Sequence, residues 1–231
     1  MIDMPVRPTA LVTGASRGVG AAIARALAPT HDLLLGGRDP EALAETASAL
    51  PGARPWPVEL TTVTEADVAA VDRLDVLVHS AGVLHLGRVE ETPAEVWRHT
   101  MEVNVIAVVE LTRLLLPALR AGRGHVVLIN SGSGQRAGAG WGSYSASKFA
   151  LRAFADALRL EEPELRVTTI YPGRVDTDMQ RAARAREGGP YQPEKYLNAD
   201  SVARVVQAAL TASPDAHVTE ITVRPAAGPL N

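Results

Sequence analysis

The sequence predicts a doubly wound α/β fold, a parallel sheet of about seven strands in a three-layer α/β/α arrangement, and three observations lead there. Short runs rich in Val, Ile and Leu alternate with longer segments whose apolar residues recur at helical spacing, the order that parallel strands with helical crossovers require. Several runs are apolar at consecutive positions, such as Val76-Leu77-Val78 and Val126-Val127-Leu128-Ile129, as strands covered on both faces must be. No repeat, low-complexity tract or long linker interrupts the pattern, and 231 residues that are 46% hydrophobic suit one domain spanning 1–231.

In chain order, the expected strands are residues 9–13, 32–36, 54–58, 75–79, 125–131, 166–171 and 218–223. Expected helices lie between them at 20–27, 40–50, 93–119, 144–160 and 199–211. Residues 173–198, rich in Arg, Gly and Pro, have no clear period and read as a lid or a disordered loop.

Composition narrows the function. A formal net charge of -3, with arginines scattered rather than blocked, gives no reason to expect nucleic acid or anionic lipid as a partner. No run of about 18 apolar residues is present, and residues 1–8 lack the basic-then-apolar order of a secretory signal, so a cytoplasmic protein without membrane contact is expected. With no cysteine, thiol chemistry and cysteine metal sites are excluded; the six histidines show no metal-ligand spacing.

The first chemical signal follows the first strand. In Thr13-Gly14-Ala15-Ser16-Arg17-Gly18-Val19-Gly20 the glycines allow a tight turn and let backbone N–H groups approach a pyrophosphate at a helix N-terminus. Their spacing, Gly-x3-Gly-x-Gly, is not the general G-x-G-x-x-G order, and a glycine turn alone is a weak signal. The second strand then ends in Gly36-Gly37-Arg38, where an NAD site would carry an acid for the ribose hydroxyls. Arginine suits a 2′-phosphate instead, with Arg17 a second candidate, so the expected cofactor is NADP(H). The competing reading makes Arg38 a surface partner of Asp39 or Glu41.

The second signal is Tyr144-Ser145-Ala146-Ser147-Lys148, a separation that brings phenol and ammonium onto one helical face. A neighbouring cation favours phenolate and is expected to draw the tyrosine pKa toward the working range. Lys148 and Lys195 are the only lysines among 23 basic residues, so Lys148 is not generic surface charge. Tyr191 and Lys195 repeat the spacing, but Pro193 between them opposes a shared helix. Phe149, Phe154 and Leu158 are expected to pack the Tyr144 helix on the sheet. Ser131, at the end of the fifth strand, would face a ligand beyond the carboxyl ends of the strands; Ser133 competes for that role, and either serine can instead bond its own turn.

The glycine loop, Ser80-Ala81-Gly82, Asn104, Ser131, Tyr144-x3-Lys148 and Pro172-Gly173 resemble, in order and spacing over nearly the whole chain, the short-chain dehydrogenase/reductase family. That resemblance implies a Rossmann-type sheet and hydride transfer between NADP(H) and a small-molecule carbonyl or alcohol. Ser131 would polarise the carbonyl, Tyr144 supply the proton, Lys148 bind the nicotinamide ribose and depress the tyrosine pKa, and Asn104 hold a relay water. The implied cofactor contacts are Gly14, Ser16, Arg17, Gly18, Val19, Gly20, Arg38, Glu59, Leu60, Ala81, Gly82, Tyr144, Lys148, Pro172, Gly173, Val175 and Thr177. Two positions depart from the family: Glu59 stands where aspartate is usual, and His79-Ser80 where two asparagines are common. A homodimer or homotetramer joined through the helices of Asn104 and Tyr144 is also implied. Ser133, Gln135, Trp141, Tyr171, Arg174 and Tyr191 are candidates for the substrate pocket, while Arg181, Arg184 and Arg186 read as the solvated face of a lid helix in preference to a greeting site for an anionic substrate. The alternative reading is a dinucleotide-binding sensor or scaffold without turnover, which would not need the proton-transfer groups.

Overall fold

The structure, a computed structural model, describes residues 7–226. Seven strands form one parallel sheet: β1 (Thr9–Thr13), β2 (Asp32–Gly37), β3 (Ala53–Pro57), β4 (Val76–His79), β5 (His125–Ile129), β6 (Arg166–Pro172) and β7 (Glu220–Val223). Their order is β3-β2-β1-β4-β5-β6-β7. The winding reverses between β1 and β4, and a crevice opens beyond their carboxyl ends, where ligands of such sheets bind. Leu11 pairs with Leu34 on one side and Leu77 on the other.

Helices α1 (Gly18–Leu27), α2 (Pro40–Ser48), α3 (Glu65–Val68), α4 (Ala94–Met101), α5 (Ala107–Gly122), α6 (Gly142–Glu161), α7 (Asp178–Glu187) and α8 (Ala199–Leu210) complete the chain. Two cores result, one on each face of the sheet. Ile23 and Leu27 of α1, Leu43 of α2 and Val202 and Val206 of α8 meet Val12, Leu33 and Leu35 on one face. Val108, Leu111 and Leu115 of α5 and Leu151, Ala155 and Leu158 of α6 meet Leu11, Leu77 and Val126 on the other. The consecutive apolar residues of each strand thus divide between two covered faces.

Strand ends differ from the sequence expectation by one or two residues, as boundaries do where the last pair frays. The edge strand β3 carries Pro55 and Pro57. Because they lie two apart, both turn their missing N–H to the same side, which an edge strand leaves unpaired.

Three larger differences arise. The helix expected at 93–119 is divided into α4 and α5 by a π-helical turn, Glu102–Ile106, which no glycine or proline announces. Residues 173–198 contain α7, whose N-cap is Thr177 and whose first and last turns carry Asp178 and Arg184 with Arg186. Only Gln180 and Ala183 of α7 are buried, so it lacks the apolar stripe by which helices are recognised. Phe149, expected against the sheet, is 43% exposed; Leu158 packs there as expected, together with Leu151 and Ala155, and Phe154 is partly buried beside them.

Candidate active site

The loops after β1, β4, β5 and β6 converge at the carboxyl ends of the strands. After β1, Gly14 (φ +66°) and Gly18 (φ +57°) take left-handed backbone conformations that favour glycine. A Cβ on Gly14 would lie 2.9 Å from the Ala81 backbone, and one on Gly20 would lie 2.2 Å from the Gly14 carbonyl oxygen. These glycines therefore let the turn, α1 and the β4 loop approach one another closely. Thr13, fully buried, joins the two loops by accepting hydrogen bonds from Ser80 N–H at 3.1 Å and Ala81 N–H at 3.2 Å. In the sequence Thr13 is only the last strand residue before the glycine turn, and no local signal marks this task.

The N-terminus of α1 has Arg17 as its N-cap, no side-chain cap and no acid in its first turn. Its first N–H groups and partial positive charge thus remain available to an anion, with Val19 partly buried against the core. Thr46 donates to Ser16 O at 3.5 Å, tying α2 to the loop. Across the crevice, Thr177 accepts from Gln180 N–H at 3.3 Å and stands with its methyl group 3.4 Å from the place of a Gly18 Cβ.

Arg38 and Arg17 extend from this end of the sheet with exposed side chains. Arg38 lies 3.9 Å from Glu59, not beside Asp39, which caps α2 by accepting from Glu41 N–H and Ala42 N–H. Arg17 lies 3.9 Å from Asp178. Glu59 accepts from Thr61 N–H at 3.2 Å, capping the 3-10 turn that begins at Leu60; that hydrogen bond holds its carboxyl below the usual range.

Tyr144 and Lys148 share a face of α6, as their spacing requires. Both are buried, and the Lys148 Nζ lies 5.7 Å from the Tyr144 ring centre while donating to Ile129 O at 3.1 Å. Burial pushes the Lys148 pKa down to about 8. The expected depression of the Tyr144 pKa is not found in this structure: burial raises it, opposed by a hydrogen bond with the Ser131 hydroxyl. Desolvation of the phenolate outweighs that hydrogen bond, and the lysine proton is directed to a carbonyl. Ser131 lies beside the phenol and also accepts from Ser133 N–H at 3.1 Å, so it both faces Tyr144 and caps its own turn.

Asn104 occupies the π turn, 1% exposed. Its Oδ1 accepts from Val83 N–H at 2.8 Å, and its Nδ2 donates to Val83 O at 2.9 Å and Ser147 Oγ at 3.0 Å. Ser147 donates in turn to Tyr144 O at 2.7 Å. The carboxamide thus clamps the loop after Gly82 to α6.

Two braces escaped the sequence reading. Asn130 donates to Lys148 O at 3.1 Å and accepts from Ser131 N–H at 2.8 Å, linking the Ser131 turn to α6. A lone asparagine before a recognised serine offers little signal. His79, at the unusual position after Val78, is buried within 2.9 Å of Thr112 Oγ1, and burial holds its pKa down at about 3. Since Thr112 already donates to Val108 O, neutral His79 donates to Thr112 and braces β4 on α5.

Gly134 is packed into the same brace: its Cβ would lie 2.5 Å from Asn130 Oδ1 and 2.8 Å from Lys148 O. Gly134→Ala is expected to destabilise the fold by about 1–3 kcal/mol through overpacking. A urea midpoint at the wild-type value would contradict this account.

The remaining predicted positions divide. Pro172 ends β6, Gly173 N–H donates to Val223 O at 2.7 Å, and Val175 bridges Leu197, which folds residues 174–197 back beside the crevice. Trp141 stands beside Tyr144, with ring centres 6.0 Å apart, and Arg174 lies over the Trp141 ring. Tyr171 is fully buried with its hydroxyl on Glu220, and Gln135 is bonded to Arg224 and Thr222. Tyr191 donates to Asp176 and does not share a helix with Lys195, which lies in the 3-10 turn Pro193–Lys195. Arg181 stacks on Tyr191 and Arg184 reaches Glu187, while Arg186 is exposed.

No described helix is long and apolar enough to cross a membrane. The short chain dehydrogenase family model matches residues 8–188. A dehydrogenase/reductase SDR family member 7B of Bos taurus is 35% identical over 78% of this chain and 62% of its own length. The chain spans only 19% of a glycine betaine reductase of Emericella nidulans, to which it is 32% identical over 96% of its own residues. An uncharacterized short-chain type dehydrogenase/reductase of Sinorhizobium fredii is 34% identical over 94% of this chain and 90% of its own. Among solved structures, an alcohol dehydrogenase from Thermococcus sibiricus complexed with 5-hydroxy-NADP superposes with a TM-score of 0.89, at 28% identity, covering 98% of this chain and 100% of that one. Matched by its family model over most of its length, and by relatives of nearly its own size, the chain belongs to the short-chain dehydrogenases, oxidoreductases on a Rossmann-type sheet.

Proposed function

We propose that residues 1–231 act as one cofactor-binding and catalytic unit, an NADP(H)-dependent oxidoreductase that interconverts a small-molecule carbonyl compound and its alcohol, with Tyr144 as acid and base. The observation that carries this reading is the meeting of a buried phenol, a hydroxyl and a buried ammonium, from Tyr144, Ser131 and Lys148, beside the glycine cradle.

The cradle fits a dinucleotide: a Cβ at Gly14 or Gly20 would fill space needed by backbone, and the α1 N-terminus offers uncapped N–H groups. Gly14, Ser16, Arg17, Gly18, Val19 and Gly20 would hold its pyrophosphate side, Arg38 with Arg17 the 2′-phosphate, and Glu59 with Leu60 the adenine side. Ala81, Gly82, Pro172, Gly173, Val175 and Thr177 would line the remainder. NADP(H) supplies or accepts hydride when bound.

The chain's own groups manage the proton. A raised pKa keeps Tyr144 protonated at neutral pH, so its Oη holds the proton a reduced carbonyl oxygen must receive. Ser131 donates a hydrogen bond to the same oxygen, stabilising charge as it develops there. Lys148 places its Nζ 5.7 Å from the Tyr144 ring centre and would hold the cofactor's ribose; in the oxidative direction Tyr144 acts as base. Asn104 and Asn130 position these groups through Ser147, Lys148 O and Ser131 N–H. Homodimer or homotetramer formation through the helical segments of Asn104 and Tyr144, the π turn with α5 and α6, is part of the same reading, supported by exposed Ile106 and Phe149.

The test is a panel of ketones and aldehydes incubated with enzyme and NADPH, followed by the loss of reduced-nicotinamide absorbance and recovery of the alcohol. Tight NADPH binding with no turnover across the panel and the reverse alcohol panel would favour a dinucleotide sensor instead.

A further inference from the structure

Tyr144 has an aromatic neighbour that proton transfer does not use. The Trp141 ring meets the Tyr144 ring at 63°, with centres 6.0 Å apart. Trp141 is held from two sides. Gly87 forms a parallel bridge with it, and Gly87 N–H donates to Gly140 O at 2.9 Å. From the other side the Arg174 guanidinium lies over the indole, 5.5 Å from the ring centre.

Arg174 also grips the last residue of α7. It donates to both carboxylate oxygens of Glu187, at 2.6 and 2.7 Å. The Glu187 side chain is only 18% exposed and has a weaker second partner, Arg184, at 3.4 Å. A line of contacts therefore runs from the end of α7 through Arg174 and Trp141 to the phenol.

What makes this line consequential is how little apolar burial anchors α7, whose other ties are polar ones such as Arg181 to Asp176 and Tyr191, and Arg184 to Pro190 O. Two of its ten residues are buried, one of them the polar Gln180. An element with so little apolar burial lies at the low-stability end of a fold, and its position depends on its polar contacts. Arginine suits the task in a way lysine does not, because its fork takes a carboxylate through two hydrogen bonds while the delocalised cation sits over an indole.

We propose that Arg174 is a positioning residue which, through its ion pair with Glu187, holds α7 and Trp141 in register beside Tyr144 and so sets how tightly the carbonyl substrate is seated. This rests on the proposed function of the site. Its effect falls on substrate binding, since Arg174 has no part in proton transfer.

The experiment uses Glu187→Gln, which keeps the side chain's shape and removes its charge, and Arg174→Lys, which keeps charge and loses the fork. Each is expected to raise KM for the best carbonyl substrate about three- to tenfold with kcat within about twofold, a loss of binding shared by ground and transition states. The double variant should be no worse than the more affected single variant, because the two residues act as one contact. Trypsin supplies a readout without turnover: cleavage at Arg181, Arg184 and Arg186 should be faster in Glu187→Gln than in wild type. Unchanged KM with unchanged cleavage in Glu187→Gln would overturn the proposal, as would a fall in kcat at constant KM. If Tyr144→Phe retained turnover, the site reading would fall while the trypsin comparison still decided the role of the ion pair.

Discussion

Tyr144→Phe is expected to lower kcat by about 10²–10⁴-fold, the usual worth of a positioned acid or base, while NADPH affinity stays near wild type. The substitution removes one oxygen from a buried ring and leaves its packing against Trp141 in place. The pyrophosphate end of the cofactor site is built by other segments, around Gly14, Gly18 and Gly20, so binding should persist when the proton donor is lost. NADPH fluorescence titration beside steady-state turnover separates the two effects. A fall in kcat and kcat/KM together is the mark of an interaction made in the transition state. Turnover at the wild-type level would remove Tyr144 from the mechanism.

Arg38→Ala is expected to lower kcat/KM with NADPH by at least about tenfold and to leave the NADH value little changed. A hydrogen bond to a charged group contributes about 1.5–3 kcal/mol, equal to roughly ten- to a hundredfold. The lower end is the appropriate expectation, because the Arg38 side chain is 72% exposed and an exposed contact is screened by solvent and salt. Its present partner, Glu59, is 3.9 Å away and already accepts from Thr61, so it holds Arg38 only loosely. The NADPH preference should weaken as ionic strength rises. Equal losses for both cofactors would mean that Arg38 serves the fold or general binding, and a wild-type preference for NADH would end the assignment.

Much of the architecture is written in local pattern. Alternation of apolar runs with helical periods is a property of neighbouring residues, and by itself it implies a parallel sheet covered on both faces. The same locality places Tyr144 with Lys148, since four residues of α6 make one turn wherever that helix is packed. The glycine loop is legible for a similar reason: Gly14 and Gly18 need positive φ, a backbone requirement carried by residue type.

Partners distant in sequence are another matter. Nothing near Asn104 announces that its amide will clamp Val83 to Ser147, or that its helix will widen into a π turn there. The α7 helix escapes periodicity because caps and ion pairs hold it with little apolar burial. The ionisation of Tyr144 follows the same division. Spacing alone puts a cation nearby and favours phenolate, whereas packing α6 on the sheet removes water from the phenol and directs Lys148 to Ile129 O, which raises the pKa. Helical faces and turn conformations depend on residues a few places apart. Burial, and the choice among hydrogen-bond partners, depend on the strand order that brings residues 13, 83, 104, 131 and 147 into one crevice.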